Sequence, residues 1–163
     1  MNRLIKYFGE PSIPLWKYCL IMFPVGMVPS YIFYGTAQVI ANILGWDVHN
    51  HLMSQVNLTF KDMIWIIVIS PIVETFILAG FIVIIQKMIN NRFIVSLILA
   101  LLFGALHGIF GALWFFGAAW PFFVFAYSYS VWREISFSHA IMAAWIPHLL
   151  HNTTSFSIMY YVR

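Results

Sequence analysis

The stretch MIWIIVISPIVETFILAGFIVII, residues 63–85, decides the class of fold. It is longer than the roughly 20 residues that an α-helix needs to cross the hydrocarbon core of a bilayer, and Glu74 is its only charged residue. The whole chain has the same character, since 63% of its 163 residues are hydrophobic and 8% are charged, against about 25% charged residues in soluble domains. This composition excludes a soluble enzyme, a nucleic-acid-binding protein and a disordered chain. It predicts an all-α polytopic membrane protein.

Charged residues divide the chain into apolar runs of helical length. The run at residues 93–131 has no charge and is too long for one helix, so Gly117 with Trp120-Pro121 predicts a fold-back between two spans. No change of composition marks a second domain, and a single transmembrane domain covering residues 1–163 is expected. It is expected to be a bundle of about five transmembrane helices, near residues 15–44, 63–85, 93–113, 118–132 and 138–161.

Basic residues are shared unequally between the two faces of such a bundle. With five alternating crossings, one face carries all but two of the eight Lys and Arg residues, namely Arg3, Lys6, Lys17, Lys87, Arg92 and Arg133. Because basic residues are enriched in cytoplasmic loops, we expect a multi-pass cell-membrane protein with a cytoplasmic N-terminus. The apolar start is too long for a signal-peptide core, so no cleavable signal peptide is expected. The single cysteine, Cys19, excludes an internal disulfide.

Four polar residues lie inside the apolar runs. An ionisable group at membrane depth is costly unless it faces a polar partner or a cavity. A rise of about 1.5 Å per residue places Glu74, His107 and His148 about 20–22 Å from the cytoplasmic ends of their helices. Asn152 follows His148 by four residues and shares its helix face. The sequence therefore predicts that these side chains meet in one cavity inside the membrane.

Prolines and glycines accompany the polar residues. Pro71 and Pro147 each lie within one turn of them, and each proline removes one backbone donor from its helix. Such breaks are tolerated at membrane depth where protein or trapped water pairs the freed carbonyl, which again indicates a polar cavity. Gly104 and Gly108 flank the histidine of the third span, and this small-xxx-small spacing predicts the close approach of a neighbouring helix.

The four polar residues predict acyl-group chemistry. A carboxylate and an imidazole that share a proton can act as a general base, and Glu74 with His107 is predicted to activate water or an amine in this way. His148 and Asn152 carry N–H groups that can hold a developing oxyanion. No serine or cysteine nucleophile is expected at the depth of this cluster, which favours direct attack over a covalent enzyme intermediate.

Two other roles stay open for these residues. One Glu and two His match the ligand count of a catalytic zinc site, so zinc held by Glu74, His107 and His148 is the alternative to a site without a cofactor. Polar side chains also form hydrogen bonds between membrane helices. Each histidine, and Asn152, can therefore have only this structural role.

The order of these residues resembles the CPBP family (CAAX protease and bacteriocin-processing membrane proteins). The family pattern is a Glu-Glu-xxx-Arg motif, a Phe-xxx-His motif and a His-xxx-Asn motif on successive helices. The matching segments, within residues 63–160, are Pro71-Ile-Val-Glu74 followed by Ala79-Gly80, then Phe103-xxx-His107 and His148-xxx-Asn152. The resemblance implies a CPBP-type helical bundle, a catalytic Glu74 partnered by His107, and catalysis without a metal ion. It also implies that His148 and Asn152 bind the oxyanion.

The resemblance implies one of two activities on a membrane-anchored lipidated protein. These are N-acylation of a bacterial lipoprotein from a lipid acyl donor and peptide cleavage of the CAAX-protease type. Other members are bacteriocin self-immunity proteins or scaffolds, so the alternative is a non-catalytic protein with a membrane or soluble partner.

The chain departs from the family pattern at Thr75 and Ala79, which stand where the family has its second glutamate and its arginine. Because the glutamate and the arginine are replaced together, no charge is left without its partner in a site of low dielectric. The departure favours acyl transfer or a non-catalytic role over CAAX proteolysis.

Overall fold

The computed structural model describes residues 8–46 and 59–161. Over these ranges the chain contains helices and short turns and no strand, which confirms the predicted all-α class. Its long helices are α1 (Leu15–Ile43), α2 (Phe60–Gln86), α3 (Arg92–Gly108), α4 (Ala112–Trp132) and α5 (Phe137–Tyr161). Within α2, residues Trp65–Ile69 form a π-helical segment.

Three of these helices, α1, α2 and α4, are long and apolar enough to cross a membrane. Helix α3 has 17 residues and is about 26 Å long at 1.5 Å per residue. Helix α5 has 25 residues. It contains polar residues of the predicted site, His148 and Asn152, which make it less apolar than the other helices. All five helices expose large apolar side chains. The architecture is therefore that of an α-helical membrane protein, and the number of crossings stays a prediction.

The predicted fold-back at Gly117 and Pro121 is wrong. Helix α4 runs unbroken through both residues, and the chain turns earlier, at residues 109–111. A proline cannot donate to the carbonyl four residues before it, which here is Gly117 O. The Ser30 hydroxyl of α1 donates to this carbonyl instead. Because the freed carbonyl is paired by a neighbouring helix, the proline does not end α4.

Helix α1 contains a second proline that is accommodated in the same way. Pro29 leaves the carbonyl of Val25 without its usual donor. The indole Nε1 of Trp120, on α4, donates to Val25 O at 2.7 Å. Each of the two helices thus supplies a donor for a carbonyl that a proline frees in the other.

Helix α4 is the centre of the bundle. It packs against each of the other four helices, and more of its length is buried than that of α1 or α2. The core around it contains aromatic side chains of several helices, and Tyr18 of α1 donates a hydrogen bond to Ser128 of α4 at 3.2 Å. Because lipid chains are as apolar as these side chains, close van der Waals packing and interhelical hydrogen bonds of this kind favour the arrangement.

Four of the five described Lys and Arg residues lie at one end of the bundle, where α1, α3 and α5 begin and α2 and α4 end, and the fifth, Lys61, lies in the first turn of α2 at the other end. Arg92 pairs with Glu134 at 2.8 Å and donates to Gly9 O at 3.2 Å. We call this the basic end, defined by Lys17, Lys87, Arg92 and Arg133. The opposite end contains the last turns of α1, α3 and α5 and the first turns of α2 and α4.

Glycines allow α3 to approach α4 closely, as predicted. A Cβ atom added at Gly104 would lie 2.9 Å from Ala119 Cβ and 3.2 Å from Ala119 Cα. At Gly108 it would lie 3.3 Å from Phe115 Cβ. At Gly80 nothing lies within 4 Å of such an atom. Glycine is therefore required where α3 contacts α4 and not at Gly80.

Gly104→Ala is expected to lower the free energy of unfolding by about 1–3 kcal/mol, because the added methyl overpacks the α3–α4 contact. Thermal unfolding of the purified protein in detergent measures the effect. Gly80→Ala is the matched control and leaves stability unchanged or raised, because alanine favours a helix over glycine. Ala119→Gly removes the nearest clash and restores part of the loss. Equal behaviour of Gly104→Ala and Gly80→Ala contradicts the close contact.

Ser30→Ala is expected to destabilise the protein by about 1–3 kcal/mol, because Gly117 O is then buried without a donor. In a Pro121→Ala background the same substitution costs much less, because residue 121 regains the N–H that pairs with Gly117 O. Unfolding of the four proteins of this double-mutant cycle, in one detergent, measures the coupling. A cost of Ser30→Ala that is the same in both backgrounds argues against this account.

Candidate active site

The backbone of α2 places Glu74 through a local break in its helix. In the π-helical segment the Ser70 N–H donates to Trp65 O, five residues earlier. In that register the next carbonyl, Ile66 O, faces residue 71, which is a proline without an N–H. The side-chain amide of Asn152, on α5, donates to Ile66 O at 3.0 Å. The amide thus ties α2 to α5 at a carbonyl eight residues, about two helical turns, before Glu74.

Glu74 lies between a serine and two imidazoles. The Ser70 hydroxyl donates to Oε1, and Oε2 lies 3.6 Å from His148 Nε2 and 3.9 Å from His107 Nε2. The structure therefore brings the three predicted ionisable residues together. The prediction concerned a serine nucleophile, whereas Ser70 donates a hydrogen bond to the carboxylate, a partner of Glu74 that the prediction did not include. Ser70 precedes Glu74 by four residues, and this spacing on one helix face was the signal for it.

His107 has a defined tautomer when it is neutral. Its Nδ1 lies 2.8 Å from the carbonyl oxygen of Phe103, which can only accept, so Nδ1 carries the proton. The neutral ring then presents an unprotonated Nε2 towards Glu74 Oε2. A proton between these two atoms belongs either to a carboxylic acid or to an imidazolium. This arrangement is suited to accepting and returning one proton.

His148 is fixed by aromatic rings of α4. Its exposed fraction is 3%, and its ring stacks on Phe125 with centroids 4.5 Å apart. Phe122 contacts it edge-on at 5.3 Å and also contacts His107 at 5.2 Å. The two phenylalanines therefore orient both imidazoles, a role that the sequence pattern of α4 did not indicate, because aromatic residues are frequent along that whole helix.

All four predicted residues, Glu74, His107, His148 and Asn152, line one cavity of about 570 Å³. Helix α1 also lines it, although no site residue was predicted there. The further polar residues at its wall are Ser30, Tyr31, Tyr34, Ser70, His151 and Ser155. His151 and Ser155 follow His148 at helical spacing, which was a usable signal. No sequence signal indicated the α1 residues, because their position at the cavity depends on which helix packs beside α5.

The two positions that depart from the CPBP pattern face the interior of the bundle. Thr75 is 1% exposed and Ala79 is 4% exposed, and both lie among the buried residues of α2. The Thr75 hydroxyl oxygen is buried with no hydrogen-bond partner among the described residues. A glutamate and an arginine at these positions would need space and pairing inside the protein, whereas the small residues here pack without charge.

The zinc alternative stays a prediction. In the part of the chain that the structure describes, no group of three or more His, Cys, Asp or Glu side chains has an arrangement that could hold a metal ion. Glu74, His107 and His148 nevertheless contribute three donor atoms around Glu74 Oε2. A chelation experiment can therefore separate the two possibilities.

No protein-family model, curated protein or solved structure matches this chain. The resemblance to the CPBP family therefore rests on the motif residues of the sequence alone.

The site can hold a carbonyl group between a base and hydrogen-bond donors. Glu74 and His107 form the proton-accepting side, and His148 Nε2 approaches the same carboxylate oxygen. Asn152 uses one amide N–H for Ile66 O and retains a second N–H. The structure thus gives Asn152 an interhelical hydrogen bond, and its predicted oxyanion role would depend on the remaining N–H.

Asn152→Asp is expected to lower the free energy of unfolding by about 1–3 kcal/mol, because an ionised carboxylate of similar size cannot donate to Ile66 O. Thermal unfolding without substrate measures this structural role separately from any catalytic one. Asn42→Asp, at an exposed position of α1, is the control and changes stability little. Wild-type stability for Asn152→Asp would show that the α2–α5 hydrogen bond is dispensable.

Proposed function

We propose that this protein is a CPBP-like intramembrane enzyme that performs acyl-group chemistry on a membrane-anchored lipidated substrate. The observation that carries the proposal is the position of Glu74 Oε2, within 4 Å of two imidazole nitrogens in one cavity. A carboxylate in such surroundings can act as a general base for a nucleophile bound beside it. The resemblance of the three motifs to the CPBP pattern supports the same chemistry.

In the proposed reaction, water or a primary amine attacks the carbonyl carbon of the substrate. As the new C–O or C–N bond forms, the nucleophile gives its proton to Glu74 Oε2, with His107 Nε2 as the second acceptor. His148, with the remaining Asn152 N–H, stabilises the oxyanion. The bond to the leaving group then breaks, and the leaving group takes the proton. Water yields an acid, whereas an amine yields a new amide.

We favour the amine as the nucleophile, which makes the reaction an acyl transfer. The replacement of the family glutamate and arginine by Thr75 and Ala79 removes charges that the protease pattern keeps near the catalytic glutamate. The transfer product would be an N-acylated lipoprotein, and peptide cleavage of the CAAX-protease type is the other outcome. We further propose a multi-pass cell-membrane location with the basic end in the cytoplasm, since basic residues favour that side.

Glu74→Gln and His107→Ala are each expected to reduce product by about 10²–10⁴-fold, because they remove the base. Mass spectrometry of lipoproteins, and of tagged membrane-anchored peptides, from cells with and without the gene measures the product. One additional acyl chain on an N-terminal cysteine indicates transfer, and a shortened C-terminus indicates cleavage. Ser70→Ala is expected to lower activity by less, since the serine only positions Glu74.

Glu134→Gln is the matched control, because this carboxyl lies at the basic end, paired with Arg92 and outside the cavity. It should retain full activity, and all variants must insert to equal levels. If the Glu74 and His107 variants preserve the cellular phenotype and no substrate changes covalently, the protein is a non-catalytic partner or self-immunity protein. Activity that a chelator removes and zinc restores would favour the zinc site.

A further inference from the structure

The cavity contains a second polar cluster, separate from the carboxylate. The Tyr31 hydroxyl of α1 lies 2.9 Å from the Ser155 hydroxyl of α5, and the rings of Tyr31 and His151 are 6.3 Å apart. His151 Nδ1 is buried and has no hydrogen-bond partner among the described residues. We call Tyr31, His151 and Ser155 the tyrosine subsite. Ser155 is seven residues beyond His148, about 10 Å along α5.

The tyrosine subsite lies towards the end of the bundle opposite the basic end. The cavity is lined by α1 from Ser30 onwards and by α5 from His148 onwards. On α2 and α4, which run the other way, it is lined by residues up to Glu74 and Phe125. Most of the lining residues thus lie in the half of their helix that is farther from the basic end. The tyrosine subsite lies between Glu74 and that end of the bundle, so a ligand that enters from that end passes the subsite before it reaches Glu74.

The chemistry of the cavity wall selects an uncharged polar group. Among the residues that the structure describes, those that line the cavity include no Lys or Arg, so a phosphate or a carboxylate would be desolvated beside them without a cation. One of the two hydroxyls of the tyrosine subsite donates to the other, so one hydroxyl O–H and an imidazole N–H remain as hydrogen-bond donors to a carbonyl oxygen. Beside them, Trp114, Phe156 and Ile158 provide an apolar wall that suits a hydrocarbon chain.

We propose that the tyrosine subsite binds the ester or amide carbonyl of a lipid or a lipid-anchored chain, which enters from the end opposite the basic end. This binding site rests on the proposed function, because it holds one acyl-bearing partner beside Glu74. Occupancy does not require turnover, so a binding measurement tests it independently of catalysis. With the basic end in the cytoplasm, the ligand comes from the outer leaflet.

The side of access is tested by cysteine labelling, which the single cysteine of the chain makes simple. In a Cys19→Ala background, Ile158→Cys places a thiol at the cavity wall, and Met88→Cys places one at the basic end, where residue 88 is 86% exposed. A membrane-impermeant maleimide added to intact cells should label Ile158→Cys, and should label Met88→Cys only after lysis. The reverse pattern, or an unreactive Ile158→Cys in lysed cells, overturns the proposal.

The ligand chemistry is tested on purified Cys19→Ala/Ile158→Cys protein in detergent, by the rate of maleimide labelling with three probes. These are a diacylglycerol, which has ester carbonyls and no phosphate, its diether analogue with the same chains, and a palmitoylated dipeptide amide. A probe with a carbonyl should slow labelling several-fold, and the diether should not. Whether the ester lipid or the peptide protects better identifies the source of the carbonyl. Equal protection by the diether, or none by any probe, overturns the proposal.

Three variants distinguish binding at the tyrosine subsite from the loss of a tyrosine hydroxyl elsewhere and from catalysis by Glu74. Tyr31→Phe keeps the ring and removes the hydroxyl, and should abolish most of the protection. Tyr127→Phe, on α4 and outside the cavity lining, should leave it unchanged. Glu74→Gln should retain protection, so that a failure of the proposed catalysis and a failure of this binding site give different results. Protection that Tyr31→Phe leaves intact contradicts the assignment of these residues.

Discussion

The structure depends on pairing the backbone carbonyls that prolines release inside an apolar bundle. A carbonyl without a donor costs several kcal/mol in hydrocarbon, where no water replaces the lost bond. Pro121, Pro29 and Pro71 each create such a carbonyl, and each carbonyl accepts a hydrogen bond from a side chain of another helix. These bonds join α1 to α4 and α2 to α5. They constrain how the helices can be rotated and shifted against one another.

The same constraint positions the candidate site. The π-helical segment and Pro71 precede Glu74 on α2, and Asn152 reaches across from α5 to pair the released carbonyl. His148 is one turn before Asn152 on the same helix face, so the bond that fixes α5 against α2 also holds His148 beside Glu74. The same interactions therefore align the helices and set the geometry of the site. A substitution that removes the hydrogen bond between α2 and α5 is expected to shift His148 relative to Glu74.

The polarity of the cavity divides it into two parts with different chemistry. Near Glu74, a carboxylate and two imidazoles can exchange a proton. Towards the opposite end from the basic residues, hydroxyl groups of α1 and α5 face each other next to apolar side chains. This division is the basis for the proposal of a substrate that has a reactive carbonyl and a hydrophobic anchor.

Much of the design could be predicted from the chain itself. Composition determined the membrane class. The constant rise of a helix placed Glu74, His107 and His148 at one depth, because similar numbers of residues, 13 to 15, separate them from the charged ends. Gly104 and Gly108 indicated a close helix contact, because their spacing within one helix places both on the same face. What only the tertiary structure decided is which groups pair across helices. Ser30, Trp120 and Asn152 lie 87, 95 and 86 residues from the carbonyls they satisfy. No local pattern specifies such partners, so the continuity of α4 and the contribution of Tyr31 followed from packing alone.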